Sequence, residues 1–379
     1  GRGRKPDDEI THAKEMVGEL TDTPLISIMM PAYNAERYIR QAIQSIIDQT
    51  YTHWELILIN DGSVDRTPDI LSDIDDERIR IFNQSNQGEA ASRNNALKHM
   101  QGDFVAFLDS DDQFLPNFLE TMAHYLLDNL QLNACYCDGW YIDTHNRQLE
   151  PLSNQRRGPF HGKLLEALVR ASDVFGPPSC TLIRRDVISA NHIQFDTRIV
   201  IGPDWDFFTH LAQFTNWGYL DFKGVNYRVH ESNITIRTAS AKRRESLALC
   251  REKAIALPEF PCFLASTRFY VFYDLFMNLL YDQPERSVTL FAHPQFAHLP
   301  KSFQARLLRL AATSQIINAE NSILVKNWLC KSLILNPFDL KTWLISLIVW
   351  INPNLAQKLL KRRIPVVQSI DNTPFGLHN

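Results

Sequence analysis

The chain has 379 residues, 45% apolar side chains, 22% charged ones and a net charge of −4, a length that allows two to three domains at the usual ~150 residues each. That balance excludes wholesale disorder and collagen-like repeats, and the lack of excess positive charge argues against nucleic acid as a partner. No apolar run reaches the roughly 18 to 20 residues of a membrane-spanning helix, so the chain is not expected to span a bilayer.

Residues 1–23 are polar, begin without Met and run up to Pro24, which reads as a trimmed or tagged N-terminal tail. From Leu25 short apolar runs alternate with amphipathic stretches, the pattern of βαβ units and a mainly parallel sheet. Strands are predicted at 25–30 (LISIMM), 54–60 (WELILIN), 79–83 (IRIFN) and 104–108 (FVAFL). Between them the pattern predicts helices over about 35–50, 67–73 and 89–100, each long enough for a right-handed crossover. A doubly wound α/β sandwich is the expected fold.

Polar motifs follow each strand: PAYN (31–34), DGSVD (61–65), NQGEAASRN (86–94) and DSDD (109–112). In such sheets ligands gather at the carboxyl edge, where helix N-termini and loop amides point. Four loops thus deliver Tyr33, Asn34, Asp61, Gly88, Arg93, Asp109 and Asp111 to one place.

Beyond them, a strand is expected around 134–143 and a helix near 161–170, with SCTLIRRD at 179–186 between broken stretches. GPDWDFFTHLAQF (202–214) reads as a loop and helix start, and YRVHESNIT (227–235) as a strand running out into a polar loop. Past Ala239 the chain is expected to be all helical, with two Asn-Pro steps that break apolar runs into short helices. Cys135 and Cys137 alternate with Tyr136 as strand residues do, and the thin spread of six cysteines fits a reducing compartment. The sequons at Asn83 and Asn233 read as chance, because no apolar signal segment precedes the first strand.

The crowding of Asp109, Ser110, Asp111 and Asp112 needs an explanation, since adjacent carboxylates repel unless a cation or a donor network neutralises them. Oxygen ligands without nearby Cys favour a hard ion, Mg2+ or Mn2+, completed by water and phosphate. The competing reading is that DSDD caps a helix starting near Pro116.

These residues resemble a known family. PLISIMMPAYNAERYIRQAIQSIIDQTYTHWELILINDGSVDRT, then NQGEAASRNNAL and FVAFLDSDDQFLP, is similar to the nucleotide-sugar-binding half of family 2 glycosyltransferases with the GT-A fold, over roughly residues 24–235. The resemblance implies a doubly wound, mainly parallel GT-A sheet at 24–238, with a nucleotide-sugar half (24–115) and an acceptor half (116–238), followed by an α-helical extension (239–379). It implies that Pro31, Tyr33 and Asn34 line the base and ribose, that Asp61 accepts from the base, and that Gly88, Arg93 and Ser110 flank the nucleotide. Asp109, Ser110 and Asp111 match the family's DXD metal motif, with Asp111 on the ion and Asp109 on the ribose or a metal-bound water. The family inverts configuration with one carboxylate as general base, which makes Asp204 the candidate and Asp206 the fallback. Pro203 stands where the family most often has Glu, and an Asp before an aromatic helix is also an ordinary N-cap. His230 resembles a further metal or phosphate contact, against a plain structural role, and Arg228 a cation for the diphosphate, against surface charge.

The implied activity is transfer of a sugar from a nucleotide-diphosphate sugar, a UDP-sugar by the base-site residues, to a carbohydrate or lipid-linked hydroxyl in envelope or glycolipid synthesis. The expected location is cytoplasmic, peripheral on the inner membrane face if the tail touches lipid. Two classes compete with it: a nucleotidyltransferase, disfavoured because MMPAYNAERY lacks a glycine-rich loop, and a binder without turnover, which Pro203 suggests. In the tail, KTWLISLIVWINPNLAQKLLKRR joins a Trp-flanked apolar run to Lys358, Lys361, Arg362 and Arg363. It reads either as a buried helix with a solvated end or as a helix lying on an anionic membrane surface. The sugar, the acceptor and the linkage depend on the variable region after Asp143.

Overall fold

Long runs of apolar residues bounded by polar turns become buried strands in the computed structural model, which describes residues 23–231, 238–317 and 322–363. The N-terminal tail, the Asn233 sequon, the end of the 227–235 stretch and the side chains of Arg362 and Arg363 lie outside the described residues. The chain divides into two compact units, residues 1–233 and 234–379.

The first unit is built on a nine-stranded sheet. Its strands are β1 (Ile26–Ala32), β2 (Trp54–Asn60), β3 (Ile79–Asn83), β4 (Phe104–Phe107), β5 (Gln113–Phe114), β6 (Ala134–Ile142), β7 (Gln148–Pro151), β8 (Thr181–Arg184) and β9 (Trp217–Arg228). The order is β3-β2-β1-β4-β8-β6-β9-β5, with β7 paired to β6. β3, β2, β1 and β4 run parallel, and β2 is buried along its whole length, as expected for strands covered on both faces. The other half is mixed: β8 is antiparallel to β4 and β6, β5 to β9 and β7 to β6, while β6 and β9 pair in parallel.

The helices of this unit are α1 (Ile39–Ile47), α2 (Thr67–Ser72), α3 (Glu89–His99), α4 (Phe118–Asp128), α5 (Leu165–Arg170), α6 (Arg185–Ala190) and α7 (Pro203–Leu211). α1 is shorter than the expected 35–50. Asn34 takes the left-handed conformation (φ 49°), and the amides of Ala35 and Glu36 donate to Thr67 Oγ1 (2.8 Å) and Asp65 Oδ2 (3.1 Å) instead of entering a regular turn. Ile39, Ala42, Ile43 and Ile46 form its buried stripe, each isoleucine contributing about 1.5–3 kcal/mol of apolar burial.

Strand β9 begins ten residues before the expected Tyr227, at Trp217. Its glycines allow close packing: a Cβ on Gly218 would meet Tyr125 at 2.5 Å and one on Gly224 would meet Phe118 at 2.7 Å. Under this half of the sheet, Phe195 stacks on Phe207 (4.1 Å) and Phe175 on Trp217 (4.2 Å).

The second unit is helical: α8 (Ser240–Ala256), α9 (Ala265–Leu280), α10 (Pro284–Thr289), α11 (Pro294–Ala297), α12 (Lys301–Ile317), α13 (Ser322–Leu335), α14 (Leu340–Ile351) and α15 (Pro353–Arg363). The two Asn-Pro steps fall between α13 and α14 and between α14 and α15, where proline cannot continue the preceding helix. Phe260, Phe272, Leu275 and Phe276 are buried in its core. The reading of α14 as a buried helix does not hold, because Trp343, Leu347 and Trp350 are each more than half exposed. No helix among the described residues is long and apolar enough to cross a membrane.

Candidate active site

The ends of β1, β2, β3 and β4 bring the four polar loops to one edge, and hydrogen bonds between side chains and loop amides hold them together. Pro31 lies inside β1, opposite Ile59, and Tyr33 is exposed at the strand's end. Asn34 joins the first loop to the second, its amide donating to Ser63 Oγ (3.0 Å) and its Oδ1 accepting from Val64 N–H (2.9 Å). Asp61, expected to face the base, is buried and committed to the third loop. Its Oδ1 accepts from Gln84 Nε2 (2.7 Å) and Gln87 N–H (2.9 Å), its Oδ2 from Gly88 N–H (2.8 Å). Asp61 thereby sets Gly88, whose φ of 90° favours glycine, at the entrance to α3.

The acidic turn separates its own charges by giving each carboxylate a different partner. Asp109 Oδ1 accepts from Arg93 Nη2 at 2.6 Å, and Asp111 Oδ2 lies 2.8 Å from His230 Nε2. Asp112 is buried, with Oδ1 accepting from Arg228 N–H (2.9 Å) and Oδ2 from Ser179 Oγ–H (3.1 Å). Ser110 is half-buried between them. The helix-cap reading fails: α4 begins at Phe118 behind Asn117, without a side-chain cap.

Arg228, proposed as a cation for a diphosphate, is a strut instead. It is 1% exposed, and its Nε, Nη1 and Nη2 donate to Asp111 O (2.8 Å), Asp143 O (3.0 Å) and Gln41 Oε1 (3.2 Å) over the face of Tyr38. Every guanidinium nitrogen is engaged inside the fold.

Asp204 sits in the first turn of α7, directly after Pro203 at the first helical position, where a missing N–H costs nothing. Gly202, with φ 74°, precedes them, and Trp205 Nε1–H donates to Leu168 O at 2.7 Å and locks the helix start onto α5. Asp204 is half-buried, whereas Asp206 is buried and only 5% exposed.

Residues 27–191 match the family described as Glycosyl transferase family 2. The chain is 31% identical over 243 residues to the putative glycosyltransferase EpsH of Bacillus subtilis, covering 63% of this chain and 70% of that protein. This chain is a family 2 glycosyltransferase. It is also 44% identical over 129 residues to WfgD of Escherichia coli, named as a UDP-Glc:alpha-D-GlcNAc-diphosphoundecaprenol beta-1,3-glucosyltransferase, a match covering 34% of this chain and 50% of that protein. In fold the transferase is similar to a crystal structure of TarS of S. aureus in complex with UDP-GlcNAc, with a TM-score of 0.54 at 14% identity over 89% of this chain and 90% of that one. The architecture is that of the GT-A glycosyltransferases.

The transferase contains an acidic residue at this edge that motif reading passed over. Glu89, the first residue of α3, is 2.8 Å from Arg93 Nη2 through Oε1, so one guanidinium nitrogen serves both Glu89 and Asp109. Glu89 stands in the NQGEAASRN motif four residues before Arg93, the i,i+4 spacing at which helical side chains meet. Burial pushes the Glu89 carboxyl up to about 7, Arg93 opposes the rise, and the charges of Asp109, Asp204 and Asp111 add to it. Burial also raises Asp109, and Asp112 stands well above the ordinary carboxylate range for the same reason with its acidic neighbours. Although burial works against it, Glu89, Asp109 and Asp204 together hold Arg93 protonated.

A carboxyl whose folded value lies above its unfolded one binds its proton more tightly in the native state, so stability falls as pH rises from the ordinary Glu range to about 7. Glu89→Gln is therefore expected to raise the melting temperature at pH 8 in the presence of a chelator, and to leave it nearly unchanged at pH 5. Thermal unfolding at the two pH values checks this. An equal shift at both would remove Glu89 from the titrating group.

Among the described residues no group of three or more His, Cys, Asp or Glu converges to hold a metal ion. The chain supplies a pair, Asp111 with His230, beside Asp109, whose Oδ1 is taken by Arg93. Such a small donor set suits Mg2+ or Mn2+, which are commonly held by one or two carboxylates together with water and substrate phosphates.

Proposed function

We propose that this transferase moves a sugar from a nucleotide-diphosphate sugar, a UDP-sugar by the donors its relatives' names carry, to a hydroxyl of a cell-envelope carbohydrate or lipid-linked acceptor, with inversion. The observation that carries this reading is the meeting of Arg93, Asp109, Asp111 and His230 at the edge where PAYN and DGSVD also end. Arg93, buried beneath this edge, anchors the carboxylates of Asp109 and Glu89 through one guanidinium nitrogen and so fixes where Asp109 stands. The names of the E. coli relative and the TarS structure, with UDP-Glc and UDP-GlcNAc, support a uridine donor, and the former's diphosphoundecaprenol supports a lipid-linked acceptor.

In this reading Tyr33 and Asn34 border the nucleoside, Asp109 and Arg93 orient the diphosphate side, and Asp111 with His230 hold a divalent ion. When bound, that ion neutralises charge growing on the departing diphosphate. Asp204 takes the proton of the acceptor hydroxyl as its oxygen attacks the anomeric carbon from the face opposite the leaving group. The bond to the diphosphate breaks as the new glycosidic bond forms, so no enzyme-bound sugar is required.

The test is a panel of nucleotide sugars with Mn2+ read by thermal shift and by release of nucleoside diphosphate. A true donor stabilises the fold by mass action, and both stabilisation and release should vanish in Asp111→Asn. A donor that binds with Mn2+ and is never turned over, even with acceptor, would favour the binder suggested by Pro203. No metal-dependent response to any donor would remove the assignment of the acidic turn.

A further inference from the structure

Helix α14 is oriented against the usual rule for a helix on a soluble unit. Thr342, Ser346 and Val349 face inward. Thr342 Oγ1 donates to Asp339 Oδ2 (2.9 Å) and meets Ser332 Oγ at 3.4 Å, and Ser332 in turn bonds Ala305 O, so the small polar face is fastened to α12 and α13. The opposite face carries Leu340, Trp343, Leu344, Leu347, Trp350 and Ile351, each 50–81% exposed. They follow the helical spacing of one stripe. Phe338 before the helix (91% exposed) and Leu355 on α15 (45% exposed) continue the apolar surface. Between the two helices, Leu344, Ile348, Ala356 and Leu359 line an apolar notch of about 110 Å³. A single exposed Leu needs no explanation, but a contiguous patch of this kind marks an interaction site.

The charge around the patch selects its occupant. Residues 336–363 contain Lys341, Lys358, Lys361, Arg362 and Arg363 against one acid, Asp339, in a chain whose net charge is −4. That Asp is already paired, 3.0 Å from Arg309 Nη1. Lys326 stands over the Trp350 ring at 5.2 Å, adding a further cation at the rim. An isologous contact with a second copy would set these cations against their own images, whereas an anionic lipid surface complements them. Tryptophan suits the boundary between headgroups and acyl chains. At twelve residues α14 is too short to span a bilayer, so it would lie in the interface plane.

We propose that the outward face of α14, continued onto α15, docks the transferase on an anionic phospholipid surface. This rests on the second unit alone and stands whether or not the sugar-transfer reading does. The experiment is flotation of the full chain with vesicles of phosphatidylcholine, with and without an equal part of phosphatidylglycerol. Parent protein should partition on the order of tenfold more onto the anionic vesicles. Leu347→Glu with Ile351→Glu should lose that binding without a change in melting temperature, because both side chains already face solvent. Lys358→Glu with Lys361→Glu should lose most of the preference for phosphatidylglycerol. Equal partitioning of parent and the Leu347/Ile351 variant, or no preference for anionic lipid, overturns the proposal. So does a dimer, seen by light scattering, that the variant abolishes while the parent leaves vesicles unbound.

Discussion

Asp204→Asn is expected to lower sugar transfer about 10²–10⁴-fold, the loss seen when a positioned general base is removed. The substitution keeps the shape of the side chain and the start of α7, which Pro203, Gly202 and the Trp205 bond to Leu168 hold independently. Donor binding should therefore survive. Isothermal titration of nucleoside diphosphate with Mn2+ and a transfer assay, made on the same preparation, separate the two effects. A variant that binds normally and retains turnover removes Asp204 from the role, and Asp206 is a poor substitute because it is buried. One charge fewer near Glu89 and Asp109 should also ease their protonation shift, so the variant is expected to be slightly more stable than the parent at pH 8.

The largest loss of stability is expected at Arg228, which touches no ligand in the proposed reaction. Arg228→Leu removes the donors to Asp111 O, Asp143 O and Gln41 Oε1, of which the two main-chain carbonyls belong to half-buried residues and the Gln41 amide oxygen, on an exposed side chain, keeps Gln113 Nε2 as a donor. With the two half-buried carbonyls losing a donor that water replaces only in part, and the buried side chain of Arg228 itself exchanged, a net loss of about 2–3 kcal/mol is expected. For a unit of this size that corresponds to a fall in melting temperature of roughly 4–12 °C. Because the guanidinium holds the main chain of Asp111, metal-dependent nucleotide binding should weaken even in the folded fraction. Arg228→Lys should recover some stability and little of the binding, since one ammonium cannot reach three separated acceptors. A melting temperature unchanged by Arg228→Leu would show that the strut is dispensable.

The strands of the parallel half were legible because each is a short stretch dominated by apolar residues and closed by polar ones, with single polar residues such as Ser27, Glu55 and Arg80 inside. The predicted bounds of β2 and β3 coincide with those observed. β9 was not legible: Gly218, Asp221, Lys223 and Gly224 weaken its apolar alternation, and the segment is a strand because β6 and β5 pair with it from distant parts of the chain. The four polar loops could be listed from the sequence, but their division of labour could not. Asp61 and Arg228, read as ligand contacts, are engaged by hydrogen bonds inside the fold, while Glu89, within the NQGEAASRN loop, was not singled out as a site residue.

Residue order alone determined the alternation of strands and helices, the family, and the fact that apolar residues of α14 recur along one stripe. Which surface that stripe meets was decided only by tertiary packing. A helical period states which side chains share a face and says nothing of whether that face turns inward or outward. In α14 the inward choice fell to Thr342 and Ser346, because Asp339 and Ser332 were there to bond Thr342. The same physics governs the acidic turn: adjacent carboxylates are predictable from the letters, but Arg93, His230 and Ser179, which keep them apart, reach it only when the sheet is assembled.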